Sequence, residues 1–489
     1  MNEKKVTILT SIVPEYFGGR TQSLLKRARL FDEFGINVRI ITTNFNQNYS
    51  RVITSLIDRK YVSKNVSFLN VFDYFKGTDI QENNVNLFIQ QKFGNIDTYK
   101  IVKRDENLDY YDINTNNRVF SLRYDDDKII IVDEFRDEKK PIYRYYVSDQ
   151  GQVSKKRTYV EGTWEVLCDD ILKNNFEPIV TFNFLDNKKS EVILYLKKKL
   201  FFKDEKSFFK FFFNEVLYYN ENVINDARLL DKPLLEANKS VHKLFQIHNS
   251  QLSNPADYHS SIKKSYRTLL NSKDKIKIIT LTNAQKKVII NSFPHQKDQI
   301  SVIPHSVSAK NGLRIDTTYH AVIVSRLDQK QKNIEDAITA FSIFQKLYSD
   351  YVLDIYGDGD DLENLKQVTR MLNLENSVIF HGYTDNPNHA YQGADFSIVS
   401  SNYEAFALNV LESIANGTQV VSYDVNFGPK EILGNSAGFI SQQRTPESLA
   451  QCMIEAVEKP KLLEDIVSRA NEYSDKIFLE RWLKILEIQ

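Results

Sequence analysis

A chain of 489 residues carrying 64 Lys and Arg against 64 Asp and Glu has no net charge, so neither a globally basic nucleic-acid binder nor an acidic tail fits it. Its 42% hydrophobic content can fill sizeable cores, and the length calls for roughly two or three of them. Two cysteines, Cys168 and Cys452, cannot build a disulfide framework and lack metal-ligand spacing, so the chain reads as cytoplasmic. No run approaches the ~20 apolar residues of a membrane-spanning helix, which leaves peripheral contact at the inner membrane face as the compatible membrane role.

The opening "KVTILTSIVPEYFGGRTQSLLKRARLFDEFGINVRIITTNF" predicts strand, glycine turn, amphipathic helix and strand, the start of a doubly wound α/β unit. Val6, Ile8 and Leu9 supply the run of a strand buried on both faces, and Leu24, Leu25, Ala28 and Phe31 fall at helical spacing. From about residue 75 the pattern alternates polar with β-branched or aromatic residues, with turn signals at "DDD" and "DQGQ". This predicts an antiparallel meander inserted in the first domain. Phe208, Phe209, Phe211, Phe212 and Phe213 then mark a core helix that resumes the host domain. Four further strand-like runs lead to a polar linker, "SVSAKNGLRIDTTYH". A second α/β series begins at "HAVIV", and its strands end in turns rich in Gly, Asn or Asp. An amphipathic helix with Phe478, Trp482, Ile485 and Leu486 near one face closes the chain.

In such folds ligands bind beyond the carboxyl ends of the parallel strands, and the unusual residues sit there. Glu404 follows the strand "ADFSIVSS", and Ala405, Phe406, Ala407 and Leu408 are expected to begin a helix whose free N–H groups and dipole favour a diphosphate. Glu412, two turns along, can accept from two vicinal hydroxyls of a ribose, and Glu404 from a sugar joined to the diphosphate. Arg326 and Lys332 in "SRLDQKQKN" bring two cations to the same edge, with Lys330 able to stand in for Lys332. Taken alone, the carboxylate pair and the cation pair each read better as ordinary surface charges, and it is their combination that points to a site. Gly18 and Gly19 can let backbone approach a phosphate or sugar, and Gly357 can admit a nucleotide or shape a turn. His248 follows another strand. "DINTNN" from Asp112 resembles a calcium loop but has Asn117 where the turn needs Gly, and "DDD" at 125 to 127 reads as a hairpin turn.

Arg326 and Lys332 followed by Glu404 and Glu412, with the glycine pair and "IPHSV", resemble the retaining glycosyltransferases of the GT-B fold. Together with "TTNFNQNYSRVI", "INDARLLDKPLL", "HGYTDNP" and "YDVNFGPKEI", they resemble the bacterial teichoic acid α-glycosyltransferases, which add glucose to poly(glycerol phosphate) or N-acetylglucosamine to poly(ribitol phosphate). The resemblance implies two Rossmann-like domains facing a cleft, a UDP-glucose or UDP-N-acetylglucosamine donor, no metal and no cofactor. It implies that backbone around His381 to Tyr383 meets the uracil, that His248 lies near the sugar and acceptor, and that the insertion serves oligomerisation and polymer binding, with a trimer as the expectation. No nucleic-acid partner is implied. The domains would run 1–75 with 205–305, 76–204 for the insertion, 306–470 for the donor side, and 471–489 for a helix crossing back. Ala405 and Ala407 replace two glycines of the family pattern, at little expected cost to the helix start. Alternatives are a protein O-N-acetylglucosaminyltransferase of the accessory Sec (GtfA) type, or a non-catalytic GT-B subunit that binds acceptor.

Overall fold

The computed structural model describes residues 4–77, 83–136, 139–308, 319–384 and 386–488, which fall into two compact units, Met1–Lys243 and Leu244–Gln489. That division falls inside the segment 205–305 that the sequence reading gave to one domain. Most of the predicted linker, 309–318, lies outside the described residues.

In the first unit, Val6, Ile8 and Leu9 are buried on the strand Lys5–Thr10, which pairs in parallel with Asn37–Thr42 and with Asn222–Asn225. Ser67–Asn70 adds a further parallel strand beyond Asn37–Thr42. A strand covered on both faces has no solvent side, hence its unbroken apolar run. The helix Gly19–Glu33 buries Leu24, Leu25, Ala28 and Phe31, and its Arg27 forms a fully buried ion pair with Asp226. Removing either partner would strand a charge in the core.

The insertion is a ten-stranded antiparallel meander, from Tyr99–Arg104 to Lys199–Phe202, with each strand beside its chain neighbours. Its hairpin turns carry the predicted chemistry. Asp126 and Asp127 have φ of 44° and 62°, the left-handed pair that matches the twist of the flanking strands, so "DDD" is a turn. The Asp112 carboxylate accepts from the N–H groups of Asn114 and Thr115 and from the Thr115 hydroxyl, a local turn rather than a calcium loop. Four cations of the sheet are paired with its own carboxylates. Arg144 forks onto Asp133, Arg157 forks onto Asp169, and Lys155 and Lys156 pair with Asp169 and Asp170. In the helix Glu205–Val216 that follows, Phe208, Phe209, Phe212 and Phe213 are buried, while Phe211 is half-buried against Phe75 and Phe202.

The second unit holds a parallel sheet of six strands in the spatial order Val378–Gly382, Val352–Tyr356, His320–Val324, Phe396–Val399, Gln419–Tyr423, Gly438–Ser441. The chain winds outward one way from His320–Val324 and then returns to wind the other way from Phe396–Val399. Loops leaving those two neighbours therefore diverge and open a crevice at the carboxyl edge, the topological switch point. Ile323, Phe341, Phe344, Leu353, Ile355 and Phe396 anchor the core between sheet and helices. The closing helix Asp475–Leu486 buries Phe478, Trp482 and Leu486.

Candidate active site

Both loops of the switch point carry predicted site residues. After His320–Val324 the chain makes a short helix, Gln329–Lys332, capped by Asp328, whose carboxylate accepts from the Gln331 N–H at 3.2 Å. The cap holds the turn that presents the cations. Arg326 is exposed, donating to the Gln331 side chain at 2.9 Å and lying 3.7 Å from Asp328. Lys332 points inward instead, and its Nζ meets Glu404 Oε1 at 2.6 Å, with side chains only 13% and 7% exposed. Lys330 is exposed, so Lys332 is the lysine that joins Glu404.

The second loop, after Phe396–Val399, is laced to the first. Asn402 donates through its N–H to the Gln331 carbonyl at 2.8 Å and through its amide to the Lys330 carbonyl at 3.1 Å, and Ser400 donates to the Lys332 carbonyl at 3.1 Å. Glu404 is fixed by its own N–H on the Asn426 carbonyl at 3.1 Å and by the Ser401 hydroxyl on Oε1 at 2.8 Å. Oε1 thus takes two donors, while Oε2 takes none of the described hydrogen bonds.

The helix behind Glu404 begins at Leu408, later than the sequence reading expected. Ala407 adopts φ 68°, ψ 67°, the left-handed region, so it cannot continue a helix, and no side chain caps the Leu408–Ala415 helix. The substitution of alanine for glycine here is therefore not cheap, since a Cβ in that region costs roughly 1–2 kcal/mol. Phe406 and Ala407 are themselves buried in the core, with Phe406 edge-on to His305 and Tyr473, so only their backbone can meet a ligand. Glu412 lies half-buried in the second turn, and its charge adds to the burial that pushes the Tyr391 hydroxyl up.

Gly357 and Gly359 have a packing duty. A Cβ on Gly357, at φ +147°, would sit 1.8 Å from the Ser325 carbonyl oxygen, and one on Gly359 2.3 Å from that of Leu327. Their loop lies flat on the Arg326 loop, with the Ser325 N–H on the Tyr356 carbonyl at 3.0 Å and the Leu327 N–H on that of Asp358 at 2.9 Å. His381 stacks on Tyr356 at 4.3 Å between centroids and bonds Asp354 at 2.7 Å, and Tyr383 beyond it is 70% exposed. His248 is buried and stacks on His305, 5.7 Å between centroids. Gly18 and Gly19, in the first unit, open the helix Gly19–Glu33 with no capping side chain. Gly18 has an ordinary φ of −93° and a Cβ there would meet nothing within 4 Å, so packing within the chain does not demand glycine.

Sequence reasoning missed the residues that hold these groups in place: Ser401 and Asn426 behind Glu404, Asp328 under the cation loop, and Asp354 behind His381. Only Asp328 had a readable signal, as an N-cap residue three positions before Gln331. Among the described residues, no group of three His, Cys, Asp or Glu could hold a metal ion.

Two neighbouring loops at a switch point, one carrying Arg326 and Lys332 and the other Glu404 ahead of the helix that bears Glu412, agree with a glycosyltransferase of the GT-B fold. The family model of the group 1 glycosyl transferases matches residues 308–473, the part that carries them. The chain is 26% identical to the poly(glycerol-phosphate) alpha-glucosyltransferase of Bacillus subtilis, over 96% of this chain and 73% of that one. It is 25% identical to the poly(ribitol-phosphate) alpha-N-acetylglucosaminyltransferase of Staphylococcus aureus, over 99% of each. Its fold matches a crystal structure of a single-substitution mutant of S. aureus TarM in complex with fondaparinux, α-GlcNAc-glycerol and UDP, at a TM-score of 0.87 and 22% identity over 99% of each chain. Within the GT-B glycosyltransferases, the chain thus resembles the teichoic acid enzymes from end to end.

Proposed function

We propose that the protein is a retaining α-glycosyltransferase that moves glucose or N-acetylglucosamine from a UDP-sugar to the polyol-phosphate chain of wall teichoic acid, with poly(glycerol phosphate) the favoured acceptor. One observation carries the reading: Lys332 pairs with Glu404 at the switch point, where Arg326 lies on the lysine's own loop and Glu412 on the uncapped helix that follows the glutamate. The whole-length likeness to two polyol-phosphate glycosyltransferases supports the acceptor class.

In this proposal the diphosphate lies against the N–H groups at Leu408, which the helix dipole makes favourable for an anion. Glu412 accepts from the ribose hydroxyls, and the backbone of Gly382 and Tyr383 receives the uracil. Glu404 Oε2 accepts from a sugar hydroxyl while Oε1 stays engaged with Lys332 and Ser401. Transfer proceeds by front-face attack. The acceptor hydroxyl adds to the anomeric carbon on the side from which the diphosphate leaves, its proton passes to the departing phosphate oxygen, and Arg326 and Lys332 offset the negative charge that builds there. No metal is required in this scheme, because the two side-chain cations take the charge.

UDP release by the purified chain tests the proposal, with UDP-glucose and UDP-N-acetylglucosamine each offered beside poly(glycerol phosphate) and poly(ribitol phosphate). Release stimulated by one donor and one polymer identifies both, and Arg326→Ala is expected to slow it on the order of a hundredfold or more. Near wild-type turnover in Arg326→Ala would sink the mechanism. Silence with every pair, despite bound UDP, would move the acceptor to a Ser/Thr-rich protein.

A further inference from the structure

The first unit contains a recessed cavity of about 210 Å³ that none of the groups above explains. It is lined by the stretch that follows the strand Asn37–Thr42, the stretch that follows Ser67–Asn70, the insertion's turn at Ser148–Gln152, and the insertion strands that carry Ser154, Ile171, Leu172 and Ile179. The first two leave the carboxyl ends of parallel strands, where open α/β sheets place their ligands. The insertion's turn roofs that same edge.

The walls are held without a ligand. Asn48 accepts from the Asp149 N–H at 3.0 Å, tying the turn to the host loop. Asn70 donates to the Thr42 hydroxyl at 2.9 Å and the Asn44 carbonyl at 3.0 Å, while its oxygen accepts from the Phe72 N–H at 2.9 Å. The floor is apolar, formed by the buried Tyr49, Phe72, Ile171 and Leu172. Amides and hydroxyls, among them Gln47, Ser50, Gln152 and Ser154, share the polar lining with Asp73, Lys76 and Asp149.

Charge and size narrow the occupant. Among the lining residues Asp73 and Asp149 stand against Lys76, and Arg51, next to Ser50 in the chain, is held by Glu15 at 3.0 Å and Asp149 at 3.8 Å. The rim therefore has no surplus cation for a phosphate. The volume is also below the roughly 300 Å³ at which pockets for drug-sized ligands begin, so a nucleotide does not fit but one small ring or polyol does. An aromatic and aliphatic floor suits the C–H face of such a unit, and side-chain amides both donate to and accept from its hydroxyls.

We propose that this cavity is a subsite for one uncharged hydroxylated unit of the acceptor, a polyol or a sugar already attached to it, held apart from the reacting hydroxyl. The proposal rests on the reading that the acceptor is a polyol-phosphate polymer. It makes the insertion's turn part of polymer recognition, with long acceptors gaining a second point of attachment that single-unit acceptors lack.

Two full-length variants test it: Gln47→Trp, which fills the cavity, and Gln152→Ala, which removes one rim amide. Both should leave donor hydrolysis and transfer to a single-unit acceptor unchanged. The KM for long polymer should rise roughly tenfold in Gln47→Trp, and by a smaller factor in Gln152→Ala, with kcat held. Unchanged polymer KM in both variants overturns the subsite. Saturation-transfer NMR with free glycerol, ribitol, glucose and N-acetylglucosamine reads the cavity independently of turnover. A signal from one of them in the wild type that Gln47→Trp abolishes supports the subsite even if no teichoic polymer is a substrate. Absence of any such signal, or one that survives in Gln47→Trp, counts against it.

Discussion

Replacing Lys332 with methionine isolates the central ion pair, because methionine keeps most of lysine's apolar stem and removes the ammonium with its charge and N–H donors. In the native chain Nζ lies 2.6 Å from Glu404 Oε1, and the two side chains are 13% and 7% exposed. The variant leaves the Glu404 carboxylate buried with the Ser401 hydroxyl as its remaining described side-chain donor. Stranding a buried charge in this way costs about 3–5 kcal/mol. The second unit runs from Leu244 to Gln489, and for domains of that size 1 kcal/mol moves the midpoint by about 2–4 °C, so a drop of roughly 6–20 °C is expected. The double variant Lys332→Met/Glu404→Gln should recover most of that loss, since no charge is then unpaired, yet remain without transferase activity. Thermal and urea unfolding of the single and double variants, each alongside a UDP-release assay, separate the two effects. A single variant as stable as the wild type would refute the account of the pair as a buried, mutually dependent unit. A double variant with native turnover would refute its placement at the reacting centre.

Other positions give independent tests. Ala407→Gly should stabilise the chain by about 0.5–1 kcal/mol in urea unfolding, because the left-handed φ of 68° is strained for alanine and the relief is partly offset by glycine's greater freedom in the unfolded chain. Gly357→Ala should lose roughly 1–3 kcal/mol or more and weaken UDP binding measured by calorimetry, since its Cβ would strike the Ser325 carbonyl oxygen and displace the Arg326 loop. Asp231 is buried, which pushes its carboxyl up to about 6 despite the Arg228 guanidinium. A carboxyl raised on folding binds more protons in the native state, so its contribution to stability falls as pH rises from about 4, its ordinary value, to about 6. Asp231→Asn should flatten that part of the stability curve, and an unchanged slope would show that burial does not govern this group.

Some of the site was open to sequence reasoning because its signals are local. Glu404 and Glu412 stand at a fixed spacing across a strand-to-helix junction, and Arg326 and Lys332 follow a strand that its apolar run reveals. The phenylalanines of Glu205–Val216 repeat at helical spacing, and the insertion's hairpins declare themselves in Asp-rich turns. Periodicity and turn chemistry act within a few residues, so a single sequence holds them.

The chain's order of residues by itself determined the elements, their α/β and meander classes, and which charged residues sit at strand ends. Only the tertiary structure decided that the strands His320–Val324 and Phe396–Val399 are neighbours, which brings Lys332 and Glu404 together across 72 positions of chain. It also decided that Ala407 turns left-handed and delays the helix to Leu408, and that Gly357 is needed because another loop's backbone lies against it. The reason is physical: strand pairing, burial of a charge pair and contact between two backbones are interactions between residues far apart in sequence, and local propensity carries no information about which distant partner will be met.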